Sequence, residues 1–202
     1  MMVMENQAER HNRVMARRKR WMDEQIARAQ ADKGVLLVLT GDGKGKSSSA
    51  FGMAARALGH GMRVAILQFI KAPLDTGEER FFSQFGNVAF HALGEGFTWE
   101  TQNFERDRAI AEAGWALARD YLRDPATDMV ILDELCVALA YHYLDWNSLR
   151  GDVLARPDHQ HAIITGRGAP QGLIDDADTV TEMRALKHAF DAGIRAQKGI
   201  EL

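Results

Sequence analysis

The sequence predicts an α/β protein whose core is a mainly parallel, six-stranded β-sheet flanked by helices. Two observations support this class. Short apolar runs without polar alternation, the pattern of strands buried on both faces, recur along the chain. Longer segments with helical periodicity lie between them, so strand and helix alternate as they do in α/β folds.

The first 33 residues differ from the rest in charge. They carry eight Lys/Arg and five Asp/Glu, which gives +3, whereas the remainder carries 17 and 23, which gives −6. We therefore predict a basic helical arm over residues 1–33 and a single domain over residues 34–202.

The arm is predicted to be a helix over residues 5–30, which lack Gly and Pro. Val14, Trp21 and Ile26 form only a sparse apolar stripe, so this helix needs another surface to lean on. The charge run at 17–20 fits a solvated helical face, and it also fits an arm that packs over a phosphate-binding site.

The remaining elements follow from periodicity and from turn residues. We predict strands at residues 35–39, 63–70, 88–92, 128–135, 161–165 and 179–183. We predict helices at residues 48–58, 78–85, 104–123 and 147–155, the last with Asn147 as its N-cap.

Composition narrows the class of protein. The chain has one cysteine, Cys136, which rules out an internal disulfide framework and favours a reducing compartment. No apolar run approaches the roughly 20 residues of a membrane span, and the polar N-terminus lacks a signal core. The net charge of −3 argues against a general nucleic-acid binder. We expect a cytoplasmic protein without a membrane or nucleic-acid partner.

The motif TGDGKGKS at residues 40–47 predicts a phosphate-binding loop, because an apolar strand precedes it and a helix follows. Glycine reaches backbone angles that other residues resist, so Gly41, Gly43 and Gly45 suit a turn that wraps N–H groups around phosphates. The positive end of the following helix points at the same phosphates.

Side chains complete the predicted loop. Lys46 reaches the terminal phosphates of a nucleoside triphosphate, and the Ser47 hydroxyl ligates Mg²⁺. Thr40 stands where the usual pattern has its first glycine. The predicted ligand is ATP with Mg²⁺, held by Gly41, Asp42, Gly43, Lys44, Gly45, Lys46 and Ser47.

An acidic partner for the loop ends the fourth predicted strand. Four apolar residues lead to Asp133 and Glu134, at the carboxyl end of the strand, where ligands lie in open α/β sheets. Either carboxylate could hold Mg²⁺. Loop and acidic strand end together predict a P-loop NTPase (RecA-like) fold for residues 34–202.

Two further features remain open on the residues alone. Arg167 follows the fifth strand and fits either a phosphate contact or a surface turn. Phe97 and Trp99 are two apart, so in an extended segment they project to one side, toward either a flat ligand or the core. The histidines show no metal-ligand spacing with the lone cysteine, and nothing marks a protein nucleophile.

Several segments together resemble the P-loop type of ATP:corrinoid adenosyltransferases, over essentially the whole chain. These segments are TGDGKGKSSSAFG, GFTWETQN, VILDEL, ARPDHQHAIITGRG and KHAFDAGIRAQKGIEL. The family loop usually reads TGNGKGKT. Here Asp42 replaces Asn and adds a negative charge, while Ser47 replaces Thr and keeps the hydroxyl.

The resemblance implies that the 5′-deoxyadenosyl group of ATP is transferred to Co(I) of a reduced corrinoid, with tripolyphosphate as the leaving group. It implies that Phe97 and Trp99 pack against the lower face of the corrin and displace its axial ligand, which eases reduction of Co(II). It favours Glu134 over Asp133 as the Mg²⁺ ligand. It also implies a reducing flavoprotein as electron donor and a homodimer in which the N-terminal helix covers the active site.

Two other classes compete with this interpretation. The acidic pair Asp133 and Glu134 also fits a RecA-like ATP-hydrolysing protein, in which Glu134 would activate water. A nucleotide-gated module that binds nucleic acid through the basic arm fits less well, because the chain is small and negative.

Overall fold

The computed structural model of the chain describes residues 6–70, 76–94 and 103–200. The chain divides into two compact units, residues 1–33 and 34–202. Among the described helices, none is both long enough and apolar enough to cross a membrane.

In the described part of the first unit, residues 6–33, there is one helix, α1 (Gln7–Arg28), with no buried residue. It begins at a capping box: the Asn6 side chain accepts from the Glu9 N–H at 2.8 Å, and the Glu9 carboxylate accepts from the Asn6 N–H at 3.2 Å. Trp21 and Ile26 are more than half exposed, so the helix has an apolar stripe without a core of its own.

The second unit is built on a six-stranded sheet in which all neighbouring strands are parallel. The strands are β1 (Leu36–Thr40), β2 (Val64–Gln68), β3 (Val88–Ala92), β4 (Met129–Asp133), β5 (His161–Thr165) and β6 (Thr179–Glu182). Their order across the sheet is β3-β2-β4-β5-β1-β6. The predicted α/β class with a parallel sheet is confirmed.

Helices flank this sheet. Those within the described residues are α2 (Lys46–Gly59), α3 (Gly77–Phe82), α4 (Phe104–Arg123), α5 (Leu135–Ala140), α6 (Trp146–Leu154) and α7 (Gln171–Asp176), followed by a 3₁₀ turn at Phe190–Ala192. The helix α2 begins two residues earlier than predicted, so Lys46 lies in its first turn.

The core has two layers, one on each face of the sheet. Successive residues of a strand point to opposite faces, and β4 shows this directly. Val130 and Leu132 pack in a cluster with Trp115 of α4, whereas Ile131 packs in a second cluster with Phe51 of α2. Because both faces of the central strands are covered, their sequences are continuous apolar runs.

The fourth strand is shorter than predicted. It ends at Asp133, and Glu134 has a left-handed backbone with φ 60°, after which α5 begins. The Glu134 N–H donates to the side-chain hydroxyl of Thr165, the last residue of β5, at 3.0 Å. The prediction that the strand continues to residue 135 is therefore wrong, because a left-handed residue cannot extend a strand.

The N-cap predicted for residue 147 is also wrong. The helix α6 begins one residue earlier, and the Asp145 side chain accepts from the Asn147 N–H at 3.2 Å. Two short helices, α5 and α7, were not predicted, because each is only six residues long and shows less than two turns of periodicity.

Candidate active site

The carboxyl ends of the parallel strands meet at one edge of the sheet, and the phosphate loop lies there. The loop connects Thr40, the last residue of β1, to Lys46, the first residue of α2. Gly41 and Gly45 have φ of 92° and 115°, angles that side chains with a Cβ rarely adopt. These two positions explain why the turn needs glycine to reverse direction between strand and helix.

Exposure varies along the loop. Gly43 and Lys46 are buried, Gly41, Gly45 and Ser47 are half-buried, and Asp42 and Lys44 are exposed. The structure thus places all seven predicted loop residues at one strand-to-helix connection, with Lys46 buried inside it and Lys44 outside.

Lys46 occupies the centre of the site. Its Nζ donates to the carbonyl oxygens of Gly41 and Gly43, both at 2.7 Å, so the side chain folds back into its own loop. Only 7% of the residue is exposed. A buried ammonium with two carbonyl acceptors is positioned to meet an anion at the mouth of the loop.

The charges around Lys46 show which residues converge on it. Burial lowers the pKa of Lys46; the Glu134 carboxylate opposes this, the Arg167 guanidinium lowers the pKa further, and Asp42 and Asp133 raise it. The loop, the end of β4 and the turn after β5 therefore lie within electrostatic reach of one another.

Asp133 is the most enclosed acid of the site. It is fully buried, and its two carboxylate oxygens have separate partners: the Gln68 amide donates to Oδ2 at 2.9 Å and the Thr165 hydroxyl donates to Oδ1 at 2.7 Å. These three residues end neighbouring strands β2, β4 and β5. A buried carboxylate held on both oxygens has a fixed orientation.

Glu134 follows Asp133 in a left-handed conformation, which is unusual for a residue with a long side chain. This angle turns the chain from the strand into α5 and leaves the residue half-buried. The Glu134 carboxylate raises the pKa of Lys46, so it lies within electrostatic reach of the buried lysine of the loop. Strain of this kind is often found at functional sites.

Arg167 lies beside the phosphate loop. Its Nε is 3.9 Å from Oδ1 of Asp42, and both side chains are largely exposed. The turn that presents Arg167 contains Gly166, with φ 130°, where an added Cβ would lie 2.9 Å from Cβ of Cys136. The close packing of this turn on α5 sets the position of Arg167 near the loop.

Two residues of this network were missed from the sequence, Gln68 and Thr165. Both are polar residues at the ends of buried strands, and the register pairs Gln68 with Asp133. The signal that could have found them is a polar residue ending each of several apolar strands, since parallel strand ends share one edge.

The predicted aromatic pair, Phe97 and Trp99, lies outside the described residues, so its role stays a prediction. Within the described ranges, no group of three or more His, Cys, Asp and Glu side chains is arranged to hold a metal ion. The oxygen donors of the site are the Ser47 hydroxyl and the carboxylates of Asp133 and Glu134, the donor type that Mg²⁺ prefers.

The chain is similar to known proteins over almost its whole length. A family model described as ATP:corrinoid adenosyltransferase BtuR/CobO/CobP matches residues 32–202. A corrinoid adenosyltransferase of Pseudomonas aeruginosa is 57% identical over 194 residues, which cover 96% of each chain. The corrinoid adenosyltransferase CobA of Salmonella typhimurium is 47% identical over 193 residues, 96% of this chain and 98% of that protein. A corrinoid adenosyltransferase of Escherichia coli is 45% identical, with the same coverage.

Proposed function

We propose that this chain, which belongs to the ATP:corrinoid adenosyltransferase family, holds the triphosphate of ATP in its phosphate loop as the leaving group of adenosyl transfer. The chain is a corrinoid adenosyltransferase, with ATP and a corrinoid as substrates. The observation that carries the proposal is the buried ammonium of Lys46, centred in a loop of glycines at the start of a helix.

In the proposed step, an electron pair of Co(I) attacks the C5′ carbon of ATP. The new Co–C bond forms as the C5′–O bond breaks, and tripolyphosphate leaves with the bonding pair. Cobalt is formally oxidised to Co(III). Since the substrate supplies the nucleophile, the protein has two tasks: to position the two substrates and to stabilise the charge of the leaving group.

We assign the leaving-group task to the loop and the first turn of α2. The ammonium of Lys46 would exchange a contact with the Gly41 or Gly43 carbonyl for a phosphate oxygen. The N–H groups at the start of α2 add the positive end of the helix dipole. Arg167, next to the loop, adds a further cation on the β5 side.

The residues present also fit Mg²⁺. The Ser47 hydroxyl and the Glu134 carboxylate would be its protein ligands. Asp133 would stand behind them through a water molecule, because both of its oxygens already accept hydrogen bonds. When bound, Mg²⁺ would neutralise part of the phosphate charge. Mg²⁺ normally completes its shell with phosphate oxygens and water, so two protein ligands suffice.

The remaining parts of the proposal rest on the family resemblance. Phe97 and Trp99 would pack under the corrin and displace its axial ligand. A reducing flavoprotein would supply the electron that converts Co(II) to Co(I). The enzyme would act as a homodimer in the cytoplasm. Light scattering after gel filtration tests the dimer, and exchange of the flavoprotein for a chemical reductant tests the electron donor.

The products of ATP turnover test the central proposal. Incubation with Mg-ATP and cob(I)alamin under reducing conditions should yield adenosylcobalamin and tripolyphosphate in equal amounts. The Co–C bond is followed by visible absorbance, and the phosphates by ion chromatography. Release of ADP and phosphate without a Co–C bond would instead identify the hydrolytic activity of a RecA-like ATPase.

A further inference from the structure

The edge strand β6 continues into the phosphate loop. Within the sheet, β6 pairs with β1 so that Glu182 lies opposite Thr40. Beyond the strand end, the Met183 N–H donates to the Thr40 carbonyl at 2.8 Å, and the Gly43 N–H donates to the Met183 carbonyl at 2.7 Å. The hydrogen-bond ladder therefore extends from the sheet into the loop.

This extension explains why residue 43 is glycine. Gly43 does not have the positive φ of Gly41 and Gly45, so backbone angle alone does not require glycine there. A Cβ added at Gly43 would lie 2.7 Å from the carbonyl carbons of both Met183 and Arg184. This distance is shorter than the contacts that Cβ atoms make in proteins. The chain that leaves β6 thus packs directly on the loop.

The contact has a consequence for phosphate binding. The N–H of Gly43 belongs to the set of loop donors that a triphosphate could use, and in this structure it donates to the Met183 carbonyl. The side chain of Glu182 also lies close to the loop, since a Cβ added at Gly41 would be 2.9 Å from its Cγ. Its negative charge disfavours phosphate on this side of the loop. A cation near β6 would add a charge-assisted hydrogen bond to the phosphates on this side and would offset the charge of Glu182.

Arg184 is the first cationic residue after β6. Its backbone touches Gly43, and the residue is exposed. Arg167 lies on the β5 side of β1, whereas Arg184 lies on the opposite side, at β6. The turn that carries Arg167 and the backbone of Arg184 therefore lie on opposite sides of the loop, each on a chain segment that follows a neighbour of β1.

We infer that Met183 and Arg184 form a second wall of the triphosphate site, in which Arg184 binds and positions the phosphates. The inference rests on the proposed function, because it assumes that the loop holds a triphosphate. It adds a binding residue from outside the phosphate-loop motif, carried by the chain segment that follows the edge strand β6.

Binding of inorganic tripolyphosphate, measured by calorimetry with Mg²⁺ present, tests this residue without relying on turnover. Arg184→Ala should raise the Kd for tripolyphosphate and for Mg-ATP by roughly tenfold, the loss of about one charge-assisted hydrogen bond. Arg184→Lys should restore part of the affinity. Arg195→Ala is the matched control, because Arg195 is an exposed arginine of the same C-terminal segment.

The inference is overturned if Arg184→Ala binds tripolyphosphate as tightly as the wild type or only as weakly affected as Arg195→Ala. Thermal unfolding of each variant shows whether a loss of affinity reflects loss of the fold. The KM for the corrinoid should not change in Arg184→Ala. If wild type binds tripolyphosphate in an Arg184-dependent way yet forms no adenosylcobalamin, the proposed function fails while this inference stands.

Discussion

The hydroxyl of Thr165, at the end of β5, donates a hydrogen bond of 2.7 Å to the buried carboxylate of Asp133 at the end of β4. The oxygen of the Thr165 hydroxyl also accepts a hydrogen bond of 3.0 Å from the Glu134 N–H. The Thr165 side chain thus contacts the Asp133 carboxylate and the backbone of the next residue, Glu134. Because Glu134 adopts a left-handed backbone, this bond also helps to hold the strained turn in place.

Thr165→Val should therefore damage both stability and activity. It keeps the shape of the side chain but leaves the buried Asp133 carboxylate short of one donor, which costs about 1–3 kcal/mol in the free energy of unfolding. Urea unfolding measures the stability loss and adenosylation measures activity. Thr165→Ser keeps the hydroxyl and is the control; equal losses in both variants would contradict the assignment.

Lys46→Met should remove charge stabilisation of the leaving group while keeping a side chain of similar length. With pre-reduced cob(I)alamin we expect kcat to fall about 10²–10³-fold, the usual effect of losing one preorganised donor to a developing anion. Corrinoid binding should be unchanged, since Lys46 contacts the loop. A variant with near wild-type kcat would show that the lysine does not act on the leaving group.

The pH dependence of ATP binding should reveal the buried ammonium. Burial lowers the pKa of Lys46 below its ordinary value of 10.5, so in the free enzyme it loses its proton at lower pH than an exposed lysine does. Affinity for Mg-ATP should therefore decline on the alkaline side, starting below pH 10.5. Within that window ATP binding should take up a proton, which calorimetry in buffers of different ionisation enthalpy detects. Lys46→Arg, which stays charged, should lose both effects.

The single cysteine should report on opening of the site. Burial raises the pKa of Cys136 to about 12, with a smaller contribution from the Glu134 carboxylate. The thiol is therefore protonated and enclosed in the native state, and alkylation at about pH 8 should need unfolding. Mass spectrometry should show slow labelling of native protein, slower still with Mg-ATP by mass action. Fast labelling of native protein, at the rate of a urea-unfolded sample, would contradict this.

Trp99→Ala tests the proposed role of the aromatic pair. If Trp99 helps to displace the axial ligand, activity with cob(II)alamin and a reductant should fall at least about tenfold, equivalent to about 1.4 kcal/mol in the barrier. With pre-reduced cob(I)alamin the loss should be much smaller, because that step is bypassed. Equal losses in the two assays would point to a general packing role.

Periodicity was sufficient for a long helix and for two short apolar strands. The predicted helix at 104–123 and the strands at 88–92 and 161–165 agree with the structure to the residue. Each has either many turns of one pattern or a run of apolar residues that only a covered sheet accommodates. The end of β4 was misplaced because Glu134 stops the strand through a hydrogen bond to Thr165, 31 residues away.

The site divides in the same way. The phosphate loop with Lys46 and the acidic end of β4 could be predicted from the sequence, because each consists of consecutive residues. The positions of Gln68 and Thr165 around Asp133 were not readable, since those residues belong to three separate strands. Their encounter depends on strand order and register, which local pattern does not encode.

The sequence alone determined the ligand class and the family, because a phosphate loop and its neighbouring motifs are local and specific patterns. Only the tertiary structure decided how the loop is held. Met183 lies 140 residues after Gly43 in the chain. Its carbonyl accepts a hydrogen bond from the Gly43 N–H, and its backbone fills the space that a Cβ at residue 43 would need. The physical reason is that a parallel sheet brings the ends of distant strands to one edge, where contacts follow strand order and not chain order.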